Sequence, residues 1–136
     1  MSHPPGPPGK RTARAEALLR KAALAYPEAV EDFPWGHRAI KVRGKIFLIL
    51  AAGSDGLGVT AKLTESRFEA LALPFAEPTG YGLGKSGWVS ARFSPKDAVP
   101  MPLLEEWIEE SYRAVAPKRL VRALDGGQTS EASKRR

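Results

Sequence analysis

One stretch of the chain has the residue types of a phosphate-binding loop. Gly80-Tyr81-Gly82-Leu83-Gly84-Lys85-Ser86 ends in the Gly-Lys-Ser sequence that closes a nucleotide P-loop. That motif also needs a glycine at position 79, where this chain has Thr79, and it must open a helix, whereas Trp88 onward alternates like a strand. The sequence therefore predicts a mobile glycine-rich loop, in which Lys85 can still contact a phosphate as a point charge.

Residues that commonly carry catalysis or bind metals are few. The histidines are His3 and His37, and the absence of cysteine excludes thiolate ligation and disulfide bonds. His3 lies in a Pro- and Gly-rich leader, and no nucleophile with a partner base is visible. We therefore expect no enzyme, no metal and no cofactor, although acid–base chemistry at a carboxylate such as Asp32 stays open.

The charged residues of the middle of the chain predict a basic surface. If Val42, Val59, Ala61, Val89 and Ala91 face a helical layer, strand alternation puts Lys41, Arg43, Thr60, Lys62, Trp88, Ser90 and Arg92 on the opposite face. Such a face suits phosphate contacts with some stacking on the ring. In the other interpretation, long basic side chains merely cover a solvated face of the sheet. Either the even or the odd residues of 46–51 must also lie there.

A later run of acids, Glu105, Glu106, Glu109 and Glu110, opposes the apolar stripe of its helix, so we interpret it as a solvated face. A basic partner is the alternative.

The elements that must position these residues follow from apolar periodicity. We predict helices over 12–26, 65–73, 102–116 and 117–124, strands over 39–42, 46–51, 57–63 and 88–93, a weaker strand over 75–78, and a loop from Glu28 to Gly36. The expected fold class is α+β, in the order α-β3-α-β2-α, with helices on one face of an antiparallel sheet.

Length and composition indicate a single domain of 136 residues with basic ends. Residues 1–11 are expected to be a disordered leader, 12–124 the domain and 125–136 a disordered basic tail. The net charge is +6, yet residues 15–116 hold 12 basic and 13 acidic groups, so the basicity lies mostly in the ends. With no signal-peptide core and no membrane-length apolar run, we expect a cytoplasmic protein without a membrane segment.

Several short motifs together resemble the MmcQ/YjbR family of small bacterial proteins, over roughly residues 13–120. They are Asp32-Phe33-Pro34-Trp35-Gly36-His37, Ile40-Lys41-Val42 with Phe47, Lys62-Leu63, Gly84-Lys85-Ser86-Gly87-Trp88 and Glu110-Ser111-Tyr112. The resemblance implies an α-β3-α-β2-α fold and a proposed DNA-binding role through two wing-like hairpins. Here one wing would be the Arg43-Gly44-Lys45 turn and the other the loop that holds Gly84 and Lys85.

The first functional hypothesis is therefore a DNA-binding module that contacts phosphates. Its predicted contact residues are Arg38, Lys41, Arg43, Lys45, Lys62, Lys85, Trp88 and Arg92. The alternative is a module that binds a protein or a small anion, either an acidic partner or a second copy in a homodimer.

Overall fold

The computed structural model describes residues 6–33, 37–80 and 83–135. In chain order its elements are α1 (Lys10–Leu24), β1 (Ala29–Asp32), β2 (Arg38–Val42), β3 (Lys45–Gly53), β4 (Gly56–Lys62), α2 (Arg67–Leu71), β5 (Ala76–Pro78), a 3₁₀ turn (Leu83–Ser86), β6 (Trp88–Phe93), α3 (Met101–Val115) and α4 (Lys118–Arg135). Across the described ranges, each helix is too short or too polar to cross a lipid bilayer.

The strands form one antiparallel sheet in the order β1-β2-β3-β4-β6-β5. Two-residue turns connect β2 to β3 and β3 to β4, because Val42 pairs with Lys45 and Gly53 pairs with Gly56. The short strand that ends in Pro78 lies at one edge, where a missing backbone N–H costs little. The predicted α+β class with an antiparallel sheet is confirmed.

Strand β1 forms where the sequence predicted only a loop, and that prediction was wrong. Glu28, with a left-handed φ of 59°, turns the chain out of α1, and residues 29–32 then pair with β2. This edge strand has only four residues, Ala-Val-Glu-Asp, and they show no sustained alternation of apolar and polar residues by which a strand could be predicted. Its Glu31 faces cations of α1 and β2 instead of the apolar core.

Helices α1 and α3 cover one face of the sheet, and α4 adds Leu120 to their core. Their side chains Leu19, Ala23, Leu104, Ile108 and Leu120 form one core with the buried strand residues Ile40, Val42, Leu48, Leu50, Val59, Ala61, Val89 and Ala91. The five strand residues that we expected to face the helices are all buried. Burial of this continuous apolar surface is the main source of stability for the fold.

A β-bulge in β3 determines which of its side chains face the core. Ile40 pairs with Leu48, but the next residue, Lys41, pairs with Ile46, so Phe47 is an extra residue. Phe47 and Leu48 are both fully buried, and the Phe47 ring packs edge-on against Tyr112 of α3 at 5.2 Å. Strict alternation could not predict this, because a bulge shifts the facing of the strand by one residue.

The chain ends differ in part from expectation. Helix α1 begins at Lys10, and Gly6 exchanges two hydrogen bonds with Ser54 of the β3–β4 turn, so the end of the predicted leader is held against the domain. Helix α4 continues to Arg135 instead of ending near Leu124. Gly126 and Gly127 do not end it, because each glycine inside a helix costs only about 1 kcal/mol.

Candidate nucleic-acid interface

Arg38, one of the predicted DNA contacts, lies on the helix-bearing side of the sheet. It pairs in register with the buried Leu50, and its guanidinium bonds Glu16 of α1 at 3.0 Å and Glu31 of β1 at 2.6 Å. The bond to Glu31 raises the pKa of Arg38. Arg38 therefore links α1 to the edge of the sheet. It does not lie on the open face, by which we mean the face of the sheet that the helices leave uncovered.

Three further predicted contacts form ion pairs with neighbouring carboxylates. Lys41 bonds Asp32 at 3.0 Å, Arg43 bonds Glu28 at 3.2 Å and Arg92 bonds Glu77 at 3.1 Å. The bond from Lys41 lowers the pKa of Asp32. Lys41 and Arg92 do lie on the open face, as predicted, but near opposite edges of it and each beside an acid.

The remaining predicted contacts gather at one end of the sheet. Antiparallel pairing brings together the β2–β3 turn, the end of β4 and the start of β6. Here a groove of about 400 Å³, which we call the sheet-end groove, is lined by Gly44, Lys45, Ile46, Lys62, Trp88, Ala114 and Val115. Within the described residues no ion pair involves Lys45, Lys62 or Lys85.

Ser111 of α3 holds the two strands that carry the groove lysines. Its buried hydroxyl donates to the Phe47 carbonyl at 2.6 Å and accepts from the Lys62 N–H at 2.9 Å. These bonds satisfy backbone groups at the bulge and at the end of β4. Nothing in the sequence indicated this role, since a buried serine is compatible with simple packing.

Lys85 reaches the same end of the molecule through the 3₁₀ turn before β6. The Leu63 N–H donates to the Gly87 carbonyl at 2.7 Å, and Gly87 has a φ of 97°, a conformation that glycine adopts readily. Arg67 of α2 donates to the Lys85 carbonyl at 3.3 Å. The Lys85 backbone therefore lies between the end of β4 and the start of α2, and its side chain is exposed.

An acidic groove adjoins the basic one. Thr64, Glu65, Glu106, Glu109, Glu110, Arg113 and Ala114 line a cavity of about 310 Å³, and Ala114 also lines the sheet-end groove. The Glu110 carboxylate accepts the backbone N–H groups of Glu65 and Ser66 and the Ser66 hydroxyl. The predicted acidic face of α3 is thus solvated in part, while Glu110 fixes the entry into α2.

The glycine-rich loop lacks the helix that a P-loop needs. Residues 83–86 form a 3₁₀ turn that leads directly into β6, whereas Tyr81 and Gly82 lie outside the described residues. His37 is exposed. His3 and Pro34-Trp35-Gly36, like Tyr81 and Gly82, lie outside the described residues. Among the residues that the structure does describe, no group of three His, Cys, Asp or Glu could hold a metal ion.

Comparison with known proteins agrees with this architecture. A family model described as YjbR matches residues 24–114. The chain belongs to the YjbR family. The crystal structure of Deinococcus radiodurans protein DR2400, with the family-model domain DUF419, is similar to this YjbR protein at a TM-score of 0.56 and 29% identity. The similarity covers 69% of this chain and 72% of that chain. A search of curated proteins found no match.

Three of the motifs that carry the YjbR resemblance, namely Lys62-Leu63, Gly84-Lys85-Ser86-Gly87-Trp88 and Glu110-Ser111-Tyr112, lie at or beside the sheet-end groove. Lys62 and Trp88 are cross-strand partners, Lys85 precedes Trp88, and Ser111 bonds the Lys62 N–H. Glu110, beside Ser111 in the chain, orders the start of α2. Motifs that are far apart in the sequence of this YjbR protein therefore build one surface.

Proposed function

We propose that this YjbR protein binds nucleic acid at the sheet-end groove, as a binding module without catalytic activity. Lys45, Lys62 and Lys85 contact backbone phosphates. The partly exposed Trp88 lines the groove with Lys45 and Lys62, and Lys85 precedes it by three residues. The observation that carries the proposal is the gathering, around one aromatic side chain, of lysines that form no ion pair with any carboxylate among the described residues. A cytoplasmic location, expected from the sequence, belongs to the same proposal.

The physical basis is the release of counterions from the nucleic acid. Each phosphate that a lysine neutralises frees condensed cations, so affinity falls as the salt concentration rises. A cation that already pairs with a carboxylate contributes less, because its partner must be displaced or repels the phosphate. The interface we propose is therefore smaller than the face expected from the sequence, and Arg38, Lys41, Arg43 and Arg92 lie outside its centre.

Fluorescence anisotropy with labelled single-stranded and duplex oligonucleotides tests the proposal. The variant Lys45→Ala/Lys62→Ala/Lys85→Ala is compared with Lys21→Ala/Lys96→Ala/Lys118→Ala, which removes equal charge at exposed lysines elsewhere. We expect the groove variant alone to lose at least about tenfold in affinity and to lower the slope of log affinity against log salt by about 2–3. Equal losses in both variants, or no binding by the parent protein at low salt, would reject it.

A second candidate is the binding of a small anion in the same groove. Its volume of about 400 Å³ falls within the range of small-molecule sites, and its cations suit a multiply charged anion. Isothermal titration with pyrophosphate separates the two functions. Saturable pyrophosphate binding by a protein that binds neither oligonucleotide would favour this candidate.

A homodimer through the open sheet face is compatible with either ligand. Small residues, among them Ala51, Gly58 and Ser90, lie at its centre, between the ion pairs of Lys41 and Arg92. Light scattering of the parent protein measures this directly. A dimer that leaves the groove lysines accessible would keep nucleic-acid binding intact.

A further inference from the structure

The hairpin expected to act as a wing is too short for that role. Its turn consists of Arg43 and Gly44 alone, with left-handed φ values of 52° and 81°. Two-residue turns of this kind close a hairpin tightly and project little beyond its strands. The Arg43 side chain is also directed back to Glu28 at 3.2 Å. This hairpin therefore offers no long arm for insertion into a duplex groove.

The charges around the sheet-end groove favour a single row of phosphates. Lys45 and Lys62 line the groove, and Lys85 lies in the turn before Trp88. Beyond Ala114 lies the acidic groove with Glu106 and Glu109, of which Glu109 pairs with Arg113. A duplex presents phosphates from both strands, so a second row close to the acids would be repelled. A single strand can follow the lysines alone.

An exposed aromatic ring beside this row adds a second indication. Phe68 of α2 is 75% exposed, which is unusual for a large apolar side chain in a folded domain. The Arg67 guanidinium lies over its ring at 4.7 Å from the centroid, and the same guanidinium bonds the Lys85 carbonyl at 3.3 Å. Phe68 is thus held near the backbone of Lys85, and its ring is exposed enough to stack on a ligand.

We infer that the ligand of the sheet-end groove is single-stranded nucleic acid. Its backbone passes Lys45, Lys62 and Lys85, while unpaired bases stack on Trp88 and Phe68. Every base has a π-face, so stacking works with DNA and RNA and with little dependence on sequence. A base inside a duplex does not offer that face. The inference rests on the proposed nucleic-acid function and specifies its substrate.

The test measures anisotropy of the full chain with labelled dT12, rU12 and a 12-base-pair duplex at low salt. We expect at least one single strand to bind about tenfold tighter than the duplex. We expect Phe68→Ala to weaken single-strand binding by about 5- to 100-fold and to leave duplex binding nearly unchanged. Because Phe68 is exposed, its loss should not affect folding, which a thermal melt checks.

Phe33→Ala provides the matched control. Phe33 is also exposed, at 54%, and Arg38 also lies over its ring at 5.2 Å, but it follows β1 at the far edge of the sheet. Equal effects of Phe68→Ala and Phe33→Ala overturn the inference. Duplex binding as tight as single-strand binding overturns it while the proposed function stands, and no binding of any oligonucleotide overturns both.

Discussion

At the scale of single residues, Glu31 forms ion pairs with two arginines that lie on different elements. Its two carboxylate oxygens accept from Arg20 at 2.7 Å each time and from Arg38 at 2.6 Å, and its side chain is only 14% exposed. The hydrogen bond from Arg20 is the largest of the effects that lower the Glu31 pKa to about 2, from 4.5. Glu31 therefore links α1, β1 and β2 electrostatically.

Replacing Glu31 gives a pH-dependent loss of stability. A carboxyl group whose pKa is lower in the folded state stabilises the fold above its unfolded pKa of 4.5 and loses that effect as the pH falls toward about 2. We expect Glu31→Gln to lower the free energy of unfolding by roughly 1–3 kcal/mol at pH 7 and by little near pH 2. Urea unfolding at several pH values measures this.

The exposed pair of Glu77 and Arg92 supplies the control for Glu31. Both side chains are largely solvated, so Glu77→Gln should change stability by less than about 1 kcal/mol at any pH. A loss for Glu31→Gln that persists undiminished down to pH 2 would show that packing, and not charge, explains it.

Three of the pairings of predicted contact residues could not be foreseen, because their acidic partners come from the segment that was predicted as a loop. Asp32 bonds Lys41, Glu31 bonds Arg38, and Glu28 bonds Arg43. Once residues 29–32 form an edge strand beside β2, Glu31 and Asp32 become diagonal cross-strand neighbours of Arg38 and Lys41, and Glu28 comes to lie beside the β2–β3 turn. The basic face therefore appeared larger in the sequence than it is in the structure.

At the scale of elements, the β3–β4 hairpin depends on one glycine. Gly56 has a φ of 118°, and a Cβ there would lie 2.0 Å from the Phe93 carbonyl oxygen of β6. Gly44 in the β2–β3 turn has a φ of 81° but open space around it. Both positions favour glycine, yet only at Gly56 does the neighbouring strand also exclude a side chain.

Alanine at these two positions separates backbone strain from steric exclusion. We expect Gly44→Ala to cost about 1 kcal/mol for the left-handed backbone alone. Gly56→Ala should cost about 2–4 kcal/mol, because β4 and β6 must also move apart. Thermal and urea unfolding of both variants give the comparison. Similar costs for the two variants would mean that β6 yields easily at this point.

The elements themselves were largely predictable, because their apolar alternation is set by burial on one face. The alternation of Val59 and Ala61, and of Val89 and Ala91, fixed which side of β4 and β6 faces the helices. The bulge at Phe47 and the hydrogen bonds of Ser111 were not predictable, since they depend on how α3 sits over β3 and β4. Lys45 and Lys62 of the groove were among the predicted contact residues, but the wall that Ala114 and Val115 of α3 supply was not predicted.

At the scale of the whole molecule, the sheet-end groove lies on an electrostatic boundary. Lysines line one side of Ala114 and glutamates the other, within a segment 15–116 that holds 12 basic and 13 acidic groups. The net charge of residues 15–116 therefore does not attract a polyanion, and the basic residues near the start of α1 and in α4 attract it without orienting it at the groove. The ligand must therefore be oriented by the difference in charge between the sheet-end groove and the acidic groove.

This contrast predicts that removing one acid beside the groove strengthens binding. Glu106 lines the acidic groove, whereas its neighbour Glu105 on α3 does not, and both are exposed. We expect Glu106→Gln to raise the affinity of the full chain for dT12 by about twofold at low salt, because repulsion of the strand is relieved. The gain should disappear at high salt, where the screening length falls to about 3 Å near 1 M. Glu105→Gln changes the net charge by the same amount, so an equal gain there would show that only overall charge acts and that the boundary does not orient the ligand.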